Sequence, residues 1–137
     1  MKSLSARLAA ALLVSMLVLA VSHQATAADA KVWHVFATKD QEFKVEGEKK
    51  PVITAKAGED VHLVITAEKG PVSAKDGSVH SFTIKSLSDQ GWNIRLKPGT
   101  QEYTLKAPST PGEYVIECTV LCGPHHADQR MKLVVMP

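Results

Sequence analysis

Between Lys31 and Val135 short runs of β-type residues alternate with turn signals, and no segment carries a convincing helical period. Val32, His34 and Phe36 alternate with Lys31, Trp33 and Val35. Pro51 to Lys56 and Val61 to Ala67 follow, separated by the turn Ala57-Gly58-Glu59-Asp60, and Val61, Leu63 and Ile65 share one face by the period of two. Gly70-Pro71 and Asp76-Gly77 punctuate a polar loop before a strand over Val79 to Ile84. Trp92 to Leu96 leads into the turn Lys97-Pro98-Gly99, and Tyr103 and Leu105 mark the next strand. After the loop Pro108 to Gly112, Tyr114, Ile116 and Cys118 alternate inward, and Met131, Leu133 and Val135 close the pattern. About eight short strands at this spacing predict an all-β Greek-key sandwich.

Residues 1–27 stand outside that pattern and read as a signal peptide. Lys2 and Arg7 form a positive start, Leu8 to Val21 is an apolar run of 14 residues, and Ala25-Thr26-Ala27 offers a cleavage site. The run is short for a permanent span of about 20 residues. An uncleaved N-terminal anchor is the alternative, and either way residues 28–137 form one exported domain, periplasmic in a bacterium. Its 110 residues are enough for a real core. The formal charge of +2 belongs to the leader, whose only charged groups are Lys2 and Arg7. The remaining domain is neutral, which argues against nucleic acid as a partner. It holds no apolar segment that predicts a membrane span.

Both cysteines fall in the stretch Cys118-Thr-Val-Leu-Cys122-Gly-Pro-His125-His126-Ala-Asp-Gln129-Arg-Met131. An exported protein commonly pairs its cysteines. A bond between these two closes a tiny loop and stabilises little. Beside two histidines the pair reads more economically as a metal site, since thiolate and imidazole suit copper and zinc. His80 opens the strand His80-Ser-Phe-Thr-Ile and is the obvious partner, because a sandwich can bring that strand end beside the loop. No enzymatic constellation appears: Ser81 lacks a G-x-S-x-G elbow, and there is no phosphate-binding glycine loop.

The pattern C-x-x-x-C-G-x-x-H with an upstream V-H-S-F resembles the binuclear copper (CuA) domain of cytochrome c oxidase subunit II, a domain type that also ends nitrous oxide reductase. The resemblance runs from about Trp33 to Val135. It implies a cupredoxin sandwich with two copper ions bridged by Cys118 and Cys122. His80 and His126 then bind one copper each, and the Val120 carbonyl is a further ligand. It also implies an electron-transfer protein whose partners are a c-type cytochrome or a terminal oxidase or reductase. The chain is then not itself an enzyme, though it can serve as an accessory component of an oxidase.

The departure is at the weak axial ligand. The family's methionine position holds Gln129, and Met131 lies two residues on, on the same face by alternation. Gln129 supplies an amide oxygen, or Met131 reaches in, or the site is of another kind. A mononuclear blue-copper set of His80, Cys122, His126 and Met131, a disulfide and a structural zinc remain as alternatives. A periplasmic copper carrier or chaperone is the rival function. His125 is expected at the site mouth rather than on the metal. His34 and His62 read as structural or surface, Glu117 and Asp128 as solvated carboxylates, and Trp33 and Trp92 as core.

Overall fold

A computed structural model describes residues 30–137; the expected signal peptide, residues 1–27, lies outside the described residues. Nine strands follow one another among the described residues: β1 (Val32–Ala37), β2 (Phe43–Val45), β3 (Val52–Lys56), β4 (Asp60–Ala67), β5 (His80–Thr83), β6 (Asn93–Leu96), β7 (Gly99–Lys106), β8 (Gly112–Glu117) and β9 (Arg130–Met136). They form two sheets, ordered β2-β1-β4-β7 and β3-β9-β8-β5-β6. The pairs β1–β4 and β3–β9 are parallel and the others antiparallel. The all-β sandwich expected from the alternation is therefore present. The additional strand is β2, three residues held by pairing with β1 and too short to show a period of its own. Two short 3-10 segments, Lys85–Gln90 and His126–Asp128, are the only helical pieces among the described residues.

The period of two decides which residues enter the core. In β1, Trp33, Val35 and Ala37 are buried while Val32, His34 and Phe36 face out. Val61, Leu63, Ile65 and Ala67 do the same in β4. From the opposite sheet come Ile53, Phe82, Leu96, Ile116 and Leu133, all fully buried. Phe82 stacks on Trp92 with ring centres 6.3 Å apart and meets Phe43 nearly at right angles at 5.8 Å. These aromatic pairs fix the middle of the sandwich.

Register carries the site. Thr83 pairs with Glu117, so antiparallel β5 and β8 run past one another with the start of β5 beside the residues that follow β8. His80 begins β5 and Cys118 follows β8. Strands β8 and β9 pair from Gly112–Val135 to Glu117–Arg130, and the Cys118 amide donates to the Gln129 carbonyl just beyond at 3.2 Å. The whole stretch from Cys118 to Gln129 is thus a loop whose two ends are bonded together.

Candidate metal centre

Four of the residues singled out from the sequence converge at this end of the sandwich. His80, Cys118, Cys122 and Gln129 are all buried. One ligand atom from each of His80, Cys118 and Cys122 lies within 4.8 Å of the others. The two sulfurs are 3.8 Å apart, well beyond a disulfide bond of about 2.05 Å, and both cysteines are free. Cys118 Sγ accepts from the Ser81 backbone N–H at 3.4 Å and sits 3.2 Å from the Val120 carbonyl oxygen. A short hydroxyl chain braces it from behind. The Thr119 N–H donates to Ser81 Oγ at 2.7 Å, and Thr83 Oγ1 donates to the same oxygen at 3.1 Å.

The orientation of His80 is fixed by its far nitrogen. Nε2 donates to the Glu68 carbonyl oxygen at 2.7 Å, and a carbonyl only accepts. Nε2 therefore carries the proton, and the Nδ1 lone pair faces the cluster. Burial pushes the imidazole pKa down, outweighing the opposing pull of the Glu68 carbonyl and the Gln129 amide, so the ring is neutral. The unfolded chain accepts a proton near pH 6.5, whereas folded His80 resists it to lower pH. More protons bound in the unfolded state means that stability falls as pH falls from 6.5 toward the folded value. Urea midpoints of metal-free protein between pH 7 and pH 5 are expected to fall accordingly. One proton limits the slope to about 1.4 kcal/mol per pH unit, and His80→Gln flattens that part of the curve.

Gln129 closes the cluster. Its Oε1 is 3.1 Å from His80 Nδ1 and 3.3 Å from Cys122 Sγ. Its Nε2 is buried with no hydrogen-bond partner. An amide N–H only donates, so this nitrogen is no metal ligand; the amide oxygen is the atom that faces both Cys122 and His80. The sulfur pair fits a metal by its spacing. A metal about 2.3 Å from each sulfur, the usual metal–thiolate length, subtends roughly 110° when the sulfurs are 3.8 Å apart, near the tetrahedral angle.

The other sequence candidates divide. His126 begins the 3-10 turn, is half-buried, and brings Nδ1 to 4.0 Å from Cys122 Sγ. It stands at the edge of the cluster rather than within it. Met131 is buried in β9 opposite Ile116; of the two axial candidates, Gln129 is the one that contacts both Cys122 and His80. His125 is exposed beside His126. His34 is exposed near Glu46, and His62 bonds Thr104 across β4 and β7, both away from the loop. Glu117 lies between Lys85 and Arg130, and Asp128 is exposed. Trp92 is fully buried and donates Nε1–H to the Lys106 carbonyl, and Trp33 is buried under the Lys31 ammonium.

Two participants escaped sequence reasoning. Glu68 acts through its backbone carbonyl, which every residue has, so no residue-type signal exists for it. Gln41 is buried and its side chain accepts a hydrogen bond from the backbone of His125, 84 positions away. Nothing in the local sequence Lys39-Asp40-Gln41-Glu42 marks it.

No protein-family model matches the chain, and no curated protein matches it. Solved structures do. A chain of a heme-copper terminal oxidase dimer, determined by cryo-EM, superposes with a TM-score of 0.57 at 20% identity, over 79% of this chain and 66% of that one. The periplasmic domain of subunit II of cytochrome oxidase from Bradyrhizobium japonicum superposes with a TM-score of 0.51 at 16% identity, over 80% and 85%. This chain spans about two thirds of the first and most of the second. At such identities the likeness establishes the fold, a cupredoxin-type β-sandwich, which agrees with the resemblance read from the cysteine loop. Among the described residues no helix is long and apolar enough to cross a membrane.

Proposed function

We propose that this chain is an exported copper protein that transfers electrons through a CuA-like binuclear site. Cys118 and Cys122 would hold the copper through their sulfurs, His80 and His126 through imidazole nitrogens, Gln129 through its amide oxygen and Val120 through its carbonyl, and the bound copper would supply one-electron redox chemistry. The observation that carries the reading is the pair of unbonded, buried sulfurs 3.8 Å apart with imidazole nitrogens turned toward them. Soft thiolates with imidazole suit copper. The Gln129 oxygen beside both Cys122 and His80 supports it over Met131 as the residue that would supply a further, weak ligand.

The protein's part is to hold the donors still and dry. Backbone hydrogen bonds clamp both ends of the loop, the Nε2–H of His80 stays on the Glu68 carbonyl, and the Ser81 N–H stabilises negative charge on Cys118. His126, half-buried at the edge, is the natural point of electron entry and exit. A c-type cytochrome or a terminal oxidase is the partner proposed for it, and the chain acts as a carrier or accessory component, not as an enzyme. The proposed location is the periplasm, after removal of residues 1–27.

Copper-reconstituted protein is expected to carry two coppers per chain and a mixed-valence EPR signal. One copper per chain with a single-ion hyperfine pattern overturns the binuclear reading. One observation favours a second function, copper delivery: His126 stands outside the three-donor cluster, where a ligand is easily given up to an acceptor. Stopped-flow mixing separates the two. Fast reduction by a c-type cytochrome supports electron transfer; slow reduction with ready copper passage to a metal-free acceptor supports delivery.

A further inference from the structure

We infer that Gln41 is a positioning residue that latches the histidine arm of the metal loop to the β1–β2 turn, and so sets where His126 stands. The inference rests on the copper reading for its purpose and on the geometry below for its existence. Gln41 adopts φ of 59°, the only non-glycine residue with positive φ among the described residues. That conformation suits glycine or asparagine better than a residue with a longer side chain, so the turn alone does not call for glutamine. Its side chain does the work. It is buried, with Oε1 accepting the His125 N–H at 2.7 Å and Nε2 donating to the Lys39 carbonyl at 3.1 Å. One partner is a donor and the other an acceptor, so the amide has a single orientation that satisfies both.

The loop is shaped to receive this side chain. A Cβ built on Gly123 falls onto the Gln41 amide, 2.6 Å from Cδ. The neighbouring segment closes in the same way. A Cβ on Gly70 lies 2.9 Å from the Cys122 carbonyl oxygen and 3.2 Å from that of Lys39, and the Val72 N–H donates to the Cys122 carbonyl at 3.2 Å. Glycine at position 70 lets three backbones meet, and glycine at position 123 leaves room for the Gln41 amide. The turn is tied to the same region at a second point, since the Lys39 N–H donates to Glu68 Oε2 and Glu68 holds His80 through its carbonyl. The latch therefore joins the histidine on β5 to the histidine arm of the loop through one short turn.

Substitution at this position separates positioning from folding. Gln41→Gly relieves the backbone conformation while deleting the side chain, and Gln41→Asn keeps an amide that tolerates positive φ but is one methylene too short. Both are expected to fold with an unfolding midpoint close to that of the parent. In metal-free protein, NMR hydrogen exchange at the His125 amide is expected to quicken at least tenfold, with the Cys118 amide unchanged. In copper-loaded protein, release to a chelator is expected to quicken on the order of 10–100-fold, the usual effect of losing a group that orients a ligand, with an altered EPR hyperfine pattern. Unchanged exchange at His125 overturns the latch. Faster exchange with unchanged copper release and EPR overturns its role in positioning. A parent chain that takes up no copper overturns the copper reading and the positioning role with it, while the exchange data still decide whether the latch exists.

Discussion

If copper binds as proposed above, Cys122→Ser is expected to reduce it from two ions per chain to at most one, abolish the mixed-valence EPR signal and weaken the remaining copper by about 100-fold or more, beyond what losing an orienting group alone costs. Cys122 is fully buried between Cys118 and Gln129. A serine oxygen there is hard and stays protonated, so it cannot bridge. The metal-free fold should survive, since the hydroxyl is close in size and keeps Gln129 Oε1 as a partner. The same substitution alters the pH dependence of uptake. Burial, then the charge and hydrogen bond of Cys118, push the Cys122 thiol up to about 12. The metal-free thiol is therefore protonated at neutral pH, and copper must displace that proton. Affinity then falls roughly tenfold per pH unit of acidification for this one proton. Chelator competition between pH 6 and pH 8 measures it, and Cys122→Ser should lessen the slope by one proton. Parent-like affinity and slope in the variant would remove Cys122 from the ligand set.

Trp92→Ala is expected to destabilise the fold by about 3–5 kcal/mol, a large share of the roughly 5–15 kcal/mol available to an ordinary domain. The indole is fully buried, stacks on Phe82 and donates to the Lys106 carbonyl. Alanine opens a cavity at the centre of the sandwich and leaves that carbonyl without its donor. Each kcal/mol is worth roughly 4–8 °C in Tm for a domain near this size, so thermal unfolding should move down by well over 10 °C. Trp92→Phe keeps the stacked ring and should retain most of the stability, with the copper spectrum and the rate of reduction unchanged. A slowed rate in a stably folded Trp92→Phe chain would make the indole an electron relay rather than a core residue.

The sandwich was legible because burial in a sheet alternates, and alternation is written locally. Trp33, Val35, Leu63, Ile65 and Ile116 each announce their face through immediate neighbours. β2 was not legible, since three residues are too few to show a period and its strand character comes from pairing with β1. The site divides in the same way. Cys118, Cys122 and His126 lie within nine residues, and their donor chemistry and spacing pointed to a metal before any geometry was known. His80 was reachable because it opens a strand. The choice between Gln129 and Met131 was not, because strand alternation puts both on one face and does not give their depth along the strand.

The sequence by itself determined an all-β domain and a candidate thiolate–imidazole donor set on one loop, since both follow from residue identity and short-range spacing. The tertiary structure decided how those donors meet. The pairing of β5 with β8 brings His80 to Cys118 across 38 positions, the Glu68 carbonyl selects the imidazole nitrogen that faces the thiols, and Gln129 rather than Met131 contacts Cys122 and His80. Gln41 reaches the loop from 84 positions away. These are long-range contacts made by atoms common to many residues, and only the register of two packed sheets determines which of them come within bonding distance.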